Sequence, residues 1–277
     1  MLVNLNEVFK YAEAYKCAIG AFNTPTLEAI RAIIENAEEL NVPVIISHAE
    51  CHEGESPLDV IGPVMVMMAR KAKVQVCVHL DHGEHVEYIA RALELGFTSV
   101  MYDGSLLPYE ENVKNTQKVV ELAKKYHASV EAEIGALAAR EGGGEGGSAM
   151  YTEPDEAKMF VEATHIDALA CSFGTAHGIY KVKPKLDFER IKTIRKLINI
   201  PLVMHGGSGL PHEDYIHALE CGVEKINYYS YMGKTGVTSA LEAINSHKYT
   251  FYHEIAYQAY LGMKQDSLVA MKVFYKK

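Results

Sequence analysis

The feature that most constrains the fold is an alternation, repeated eight times, between a short apolar run and a longer amphipathic stretch. The runs are rich in Val, Ile and Ala, and continuous apolar segments are typical of parallel strands buried on both faces. Several of the amphipathic stretches end at Gly or Asn, as helices commonly do. The eight runs cover residues 17–23, 42–48, 74–82, 98–104, 128–135, 166–174, 200–207 and 223–230.

Eight strand–helix units in 277 residues predict an α/β fold, the closed (β/α)8 barrel or TIM barrel, more naturally than an open doubly wound sheet. No linker-like boundary interrupts the pattern, so residues 1–277 are predicted to form one domain. An extra amphipathic helix is expected before the first run. A Tyr-rich helical tail is expected from about residue 234 to 277, packed on the barrel or on a partner subunit.

Composition excludes several classes of protein. The formal net charge is −9 and no basic stripe offsets it, which argues against nucleic acid and acidic membranes as partners. No segment approaches a membrane span, and the N-terminus has no uninterrupted apolar region like that of a signal peptide. The five cysteines lack a Cys-x-x-Cys pair. They are therefore predicted to be free thiols in the core of a soluble, cytoplasmic protein.

Polar side chains occur where the predicted strands end, which is unusual for segments that are otherwise apolar. In a barrel the carboxyl ends of the strands meet at one rim, the catalytic face. A single histidine there is more often structural than a ligand, but three, after the third, sixth and seventh strands, would converge once the barrel closes. The polar residues are Asn23, His48, His79, Asp81, His82, Asp103, Glu131, Glu133, His177, His205 and Asn227.

A catalytic metal site is the interpretation that these histidines favour together. Three imidazoles with an open fourth position are typical of catalytic zinc. His79 is predicted to orient a neighbour, while Asp103 and Glu133 are predicted as supporting groups or as alternative metal ligands. The natural trio is His82, His177 and His205. The histidines on predicted loops and helices, among them His52, are interpreted as surface residues.

Two glycine-bearing segments, GTAHG at 174–178 and HGGSG at 205–209, follow the sixth and seventh runs. Glycine lets the backbone approach a ligand closely and leaves amides free to bind phosphate. Loops after late barrel strands are a known phosphate location in this fold. Together with Asn227 and Ser230, these segments predict one phosphate-binding site.

The combined motifs resemble the class II (zinc-dependent) fructose-bisphosphate and tagatose-bisphosphate aldolases. The matching segments follow the family order along the whole chain: AFN (21–23), HLDHG (79–83), MYDGS (101–105), VEAEIG (130–135), GTAHG (174–178), KLDF (185–188) and HGGSG (205–209). The resemblance implies a lyase of carbohydrate metabolism, such as glycolysis. Its reaction would be the reversible cleavage of fructose or tagatose 1,6-bisphosphate to dihydroxyacetone phosphate and an aldehyde.

The resemblance also implies residue roles. The three histidines would hold a catalytic Zn²⁺, replaceable by another divalent metal, with a second metal position at Asp103 and Glu133. Asp81 would exchange the proton of the C4 hydroxyl, and Glu141, on a loop after the fifth run, would move the C3 proton. A monovalent cation near the phosphate loops is also implied. The substrate and its phosphate would lie against Asn23, Gly178, Gly207, Ser208, Asn227 and Ser230.

Departures from the family pattern leave the substrate open. The most divergent segment follows the second run, and its glutamates, Glu50, Glu53 and Glu55, would repel a second phosphate if they faced the pocket. That would favour a ketose 1-phosphate or another substrate without a distal phosphate. A metal-dependent epimerase or isomerase and a non-catalytic sugar-phosphate-binding protein are further alternatives. The Tyr-rich tail favours a homodimer or homotetramer.

Overall fold

A computed structural model describes residues 1–136 and 150–277. Eight parallel strands form a closed barrel, because each pairs with the next and β9 pairs with β2. The closed (β/α)8 barrel is thus confirmed, and the open sheet is excluded. The barrel strands are β2 (Ile19–Asn23), β3 (Val44–Ala49), β4 (Val76–Gly83), β5 (Ser99–Tyr102), β6 (Ser129–Ile134), β7 (Ala168–Cys171), β8 (Leu202–Met204) and β9 (Val223–Tyr228).

Ten α-helices lie in the described part of the chain, most of them around the barrel. Thr26 caps the start of α2 with its side chain, and Asn41 ends that helix in the left-handed conformation, as the Asn signal predicts. The helices are α1 (Leu5–Tyr15), α2 (Leu27–Leu40), α3 (Leu58–Lys71), α4 (Val86–Glu94), α5 (Tyr109–Lys124), α6 (Pro154–Thr164), α7 (Phe188–Leu197), α8 (His212–Glu220), α9 (Ser230–Asn245) and α10 (Tyr252–Phe274).

Two features at the chain ends differ from the sequence-based expectation. A two-residue strand, β1 (Leu2–Val3), precedes the expected N-terminal helix and pairs with the start of β4. The C-terminal tail begins at Ser230, directly after β9, rather than near residue 234, and it consists of two helices, α9 and α10. The expected boundary was wrong because the apolar run reaches residue 230, whereas the strand ends at Tyr228.

The end of α10 packs against the first barrel strand. Phe274 is fully buried, with its ring 6.4 Å from the Phe22 ring and 6.0 Å from the Tyr228 ring. The Tyr275 hydroxyl accepts the Gly20 amide at 3.1 Å and donates to the Pro43 carbonyl. The last turn of the tail therefore packs directly against the paired strands β2 and β9.

The cysteines agree only in part with the prediction of core thiols. All five are free thiols and four are buried, but Cys51 is exposed, because it lies in a one-turn 3-10 helix after β3 rather than in a strand. Within residues 1–136 and 150–277, no helix is both long and apolar enough to cross a membrane.

Candidate metal and catalytic centre

The three predicted histidines meet at the carboxyl rim of the barrel. His82 lies near the end of β4, His177 follows β7 and His205 follows β8. The Nε2 atom of His82 is 3.2 Å from Nε2 of His177 and 2.9 Å from Nδ1 of His205. His82 has a φ of 46°, in the left-handed region that residues other than glycine seldom adopt. Backbone strain of this kind is concentrated at functional sites.

The hydrogen bonds behind two of these rings determine which nitrogen atoms face the centre as lone pairs. Asp103 Oδ2 lies 2.7 Å from Nδ1 of His82, and Glu131 Oε1 lies 2.8 Å from Nε2 of His205. A carboxylate only accepts, so each ring donates outward and turns its other nitrogen inward. Two lone pairs 2.9 Å apart repel unless a proton or a metal ion lies between them. The donor set therefore fits a divalent metal such as zinc.

The electrostatics of the centre also favour a positive charge there. Burial favours the neutral form of His82, yet the carboxylates of Asp81 and Asp103 raise its pKa well above the usual range. Burial and the charge on His82 lower the pKa of His205. The two rings thus behave as a pair that holds one positive charge between them.

A second group of metal-binding atoms adjoins the trio. His82, Asp103 and Glu133 have ligand atoms within 4.8 Å of one another. Glu133 is buried, and its Oε2 has no hydrogen-bond partner within the described part of the chain. Burial and the neighbouring Asp103 carboxylate raise the pKa of Glu133 well above its usual range. A cation bound beside this carboxyl group would stabilise its ionised form. This is the position predicted for a second metal ion.

Asp81 is fully buried and is held on both sides by amide groups. The Nδ2 atoms of Asn23 and Asn227 donate to its two oxygens, each at 3.0 Å. Burial would raise the pKa of Asp81, but the positive charges around His82 and His205 hold it well below its usual range. Asp81 is thus an ionised, fixed acceptor on the strand that also carries His82.

A buried ion pair lies below the histidines, and sequence reasoning missed half of it. Lys225 Nζ is 2.7 Å from Glu131 Oε2, inside the barrel. His79 lies beside this pair, with Nδ1 2.8 Å from Ser99 Oγ and Nε2 3.8 Å from Glu131 Oε2. Lys225 lies within the apolar eighth run, and a charged residue in such a run could have indicated a buried ion pair. Because the strand is buried, its ammonium group must face an acid inside.

The predicted phosphate residues mostly line one small pocket beside His177. The Ser208 hydroxyl oxygen accepts the amides of Tyr229 and Ser230 at 2.7 and 3.1 Å, at the start of α9. Gly207 is not part of the lining: a Cβ there would lie 2.7 Å from Ile226 Cγ2, so this glycine allows close packing against β9. The lining residues are Asn23, His177, Gly178, Gly206, Ser208, Asn227, Tyr228, Tyr229 and Ser230.

Comparison with known proteins gives the family. A profile described as fructose-bisphosphate aldolase class-II matches residues 3–277. A Bacillus subtilis (strain 168) protein, named "Probable fructose-bisphosphate aldolase", is 41% identical over 229 residues, which are 82% of this chain and 80% of that protein. The chain belongs to the class II fructose-bisphosphate aldolase family. It is accordingly a lyase, as the motifs predicted.

Solved structures agree with this assignment. The YdjI aldolase from Escherichia coli K12 superimposes with a TM-score of 0.87 at 32% identity, covering 99% of this chain and 97% of that one. A protein from Coccidioides immitis, described as a putative fructose-1,6-biphosphate aldolase, gives a TM-score of 0.88 at 28% identity over 98% and 96% of the two chains. The closed barrel is therefore shared with other aldolases.

The structure accounts for two glutamates of the segment after β3, which was expected to depart most from the family pattern. The Glu50 carboxylate accepts hydrogen bonds from the backbone amides of Glu84 and His85. The Glu53 carboxylate accepts hydrogen bonds from the Leu58 amide at 2.8 Å and from the Tyr88 hydroxyl at 2.6 Å. These contacts fix the loop before α4 and the start of α3. Glu55 is exposed.

Two histidines of the same segment differ from their expected roles. His48 is in register with Leu80 rather than with the inward-facing Asp81, and its Nε2 lies 2.9 Å from the Tyr88 hydroxyl of α4. It therefore lies on the outer face of the barrel, away from the trio. His52 was expected at the surface but is half-buried, with its ring 5.2 Å from the Tyr229 ring.

The predicted loop base, Glu141, lies outside the described residues. The other predicted catalytic, metal-binding and phosphate-binding residues, apart from Gly207, belong to the two groups of possible metal ligands, to the hydrogen bonds of Asp81 or to the lining of the pocket beside His177. The possible metal ligands, a buried carboxylate and this small pocket thus lie at one rim of the barrel.

Proposed function

We propose that this class II aldolase reversibly cleaves a ketose 1,6-bisphosphate, fructose or tagatose, to dihydroxyacetone phosphate and an aldehyde. The observation that carries the proposal is the convergence of three histidine nitrogens beside the buried Asp81 carboxylate. A non-catalytic sugar-phosphate-binding protein would have no use for this ionised buried acid. An epimerase or isomerase would release no triose phosphate, so the cleavage screen below distinguishes it from an aldolase.

His82, His177 and His205 would hold the metal ion, for which we propose Zn²⁺ or another divalent metal. When bound there, the metal supplies Lewis-acid stabilisation of the negative charge that develops on the substrate. Asp103 and Glu133 would offer the second position. The structural support is the pair of inward lone pairs and the unpaired Glu133 oxygen. The family is generally zinc-dependent.

Asp81 would accept the proton of the substrate C4 hydroxyl as the C3–C4 bond breaks. The departing fragment leaves as an aldehyde, and the bond electrons stay on the three-carbon fragment. Glu141 would then deliver a proton to C3 to complete dihydroxyacetone phosphate. Asp81 suits its role because it is ionised at neutral pH and held by two amides.

The substrate phosphate would bind at the start of α9, between Gly178 and Ser208. A side chain at Gly178 would meet open space, and the residue has a φ of 91°. Because the Ser208 oxygen accepts two amides, its own O–H can donate to a ligand. The partial positive charge of the N-terminus of α9 adds to the attraction. Gly207 would support this site through packing, and a monovalent cation would bind close to it.

A ketose 1-phosphate is the second candidate substrate, because the pocket at the start of α9 accounts for one phosphate only. A distal phosphate would need a positive charge from elsewhere, such as Arg140 or a second subunit.

The test is a cleavage screen with fructose and tagatose 1,6-bisphosphates, the matching ketose 1-phosphates and the free ketoses. The released triose phosphate is measured before and after chelation. We expect chelator-sensitive release, highest with one of the two bisphosphates. Release from 1-phosphates alone would select the second candidate, and no release from any of them would contradict aldol cleavage.

We also propose that the protein is a homodimer or homotetramer. The outer faces of α9 and α10 expose apolar side chains, including Val237, Leu241, Ile244 and Tyr257. Exposed apolar surface of this kind marks interaction sites. Sedimentation of the purified chain would give the assembly size.

A further inference from the structure

A chain of buried polar groups runs from the barrel interior to the histidine trio. Lys225 of β9 and Glu131 of β6 are both 0% exposed, and Nζ lies 2.7 Å from Oε2. The other oxygen of Glu131 lies 2.8 Å from Nε2 of His205. Burying two charges is costly, so such a pair needs good geometry and further hydrogen bonds. Glu131 has both.

Lys225 is the ion-pair partner of Glu131. Its ammonium group lies 2.7 Å from Oε2, whereas Nε2 of His79 lies 3.8 Å from the same oxygen, beyond hydrogen-bond distance. A carboxylate paired with an ammonium group is ionised, so its other oxygen can only accept a hydrogen bond.

An ionised Glu131 in turn determines which nitrogen of His205 carries a proton. The carboxylate can only accept, so Nε2 must donate and Nδ1 keeps its lone pair. Nδ1 is the atom that lies 2.9 Å from Nε2 of His82, at the centre of the trio. Without Lys225, Oε2 of this buried carboxylate would lose its ion-pair partner, and Oε1 would no longer be fixed against Nε2 of His205.

We propose that Lys225 is a positioning residue: through Glu131 it keeps the proton of His205 on Nε2, so that Nδ1 can bind a metal ion. The inference rests on the proposed metal site. It adds a residue that never approaches the substrate but decides whether one of the three ligands is available. Asp103 acts on His82 in the same way, with Ser105 as its own donor.

The first measurement is zinc affinity of the full chain, by competition with a chromogenic chelator. The variant is Lys225→Met, which keeps the length of the side chain and removes its charge. The matched control is Lys264→Met, because Lys264 pairs with Glu35 at 2.9 Å between α10 and α2, away from the trio. Loss of a group that orients a metal ligand typically weakens binding ~10–100-fold. We expect that loss for Lys225→Met and unchanged affinity for Lys264→Met.

A second variant covers the case in which Lys225→Met does not fold, because it leaves Glu131 unpaired. Lys225→Met combined with Glu131→Leu removes both buried charges, and apolar replacement of a buried ion pair is often neutral or stabilising. His205 would then lack its acceptor, so zinc should still bind at least about tenfold more weakly. A folded variant of either kind with the zinc affinity of the wild type would overturn the proposal.

A spectroscopic measurement separates this proposal from the proposed metal site itself. In protein labelled with ¹⁵N-histidine, the ring nitrogen shifts distinguish protonated Nδ1 from protonated Nε2. The His205 signals are assigned by their absence in His205→Gln. We expect protonated Nε2 in the wild type and its loss in Lys225→Met. If the wild type binds no zinc, the metal proposal fails, yet protonated Nε2 still supports the Lys225 proposal. Protonated Nδ1 in the wild type would refute it.

Discussion

Replacement of Asp81 by Asn should separate proton transfer from folding and metal binding. The substitution replaces one carboxylate oxygen by an NH₂ group, although each oxygen of Asp81 accepts a hydrogen bond from an asparagine amide at 3.0 Å. The Asn227 side-chain oxygen has no hydrogen-bond partner among the described residues, so a half-turn of that amide restores an acceptor. We therefore expect the free energy of unfolding to change by no more than about 1 kcal/mol.

The catalytic loss should be much larger. A positioned acid–base group contributes ~10²–10⁴-fold, or about 3–5 kcal/mol of barrier. Asp81→Ala would be a poorer test, because it leaves two buried amide donors without an acceptor at about 1–3 kcal/mol each. Asn keeps the site filled, so the lost rate reports on the chemistry.

The assay measures triose phosphate release together with bound zinc and thermal unfolding. Asp167→Asn is the matched control, since Asp167 accepts the Val130 amide at 2.7 Å at the opposite end of the barrel. Exchange of the C3 proton of dihydroxyacetone phosphate should persist in Asp81→Asn, because Asp81 handles only the C4 hydroxyl. Zinc-loaded Asp81→Asn that cleaves within tenfold of the wild type would refute the reasoning.

Three further changes test other parts of the site. His177→Ala should lose stoichiometric zinc with little change in unfolding free energy, since this ring is only half-buried; elemental analysis showing full zinc would contradict the ligand set. Glu141→Ala should slow isotope exchange at C3 of dihydroxyacetone phosphate, and an unchanged rate would move the base elsewhere. Burial lowers the pKa of His48 from 6.5 to about 4, so unfolding takes up a proton below pH 6.5. His48 should therefore contribute ~2 kcal/mol to the fall in stability between pH 7 and pH 5 in urea titrations, and the fall for His48→Gln should be smaller than that of the wild type by this amount.

The barrel could be predicted because its signal is repetitive. Each apolar run matches one observed barrel strand, and no strand extends beyond its run by more than one residue, since a strand buried on both faces leaves an uninterrupted apolar stretch. β1 could not be predicted, because Leu2–Val3 is too short for any periodicity. The start of α9 was misplaced because Tyr229 and Ser230 suit either a strand end or a helix start.

Site residues could be predicted from the sequence when their place at a strand end determines their role. They were harder to predict when their role depends on which side chain they contact. His82 and His205 follow from strand ends, whereas the pairing of Glu131 with Lys225 joins residues far apart in sequence. The face of the barrel on which His48 lies also depends on strand register, since a shift of one residue along a strand moves a side chain to the opposite face. Side-chain direction, such as that of Glu53 toward α3, needs the three-dimensional arrangement.

The packing of α10 against β2 bears on how the chain acquires its shape during synthesis. Ile19 pairs with Lys225, and the Gly20 amide donates a hydrogen bond to the Tyr275 hydroxyl. The first barrel strand therefore gains these partners only after the C-terminal part of the chain has been synthesised. Until then, one edge of β2 presents unpaired amides and carbonyls that another nascent chain can bind. Such a topology folds slowly, since its decisive contacts are distant in sequence. Growing chains of this protein should therefore depend on chaperones that shield strand edges until synthesis ends.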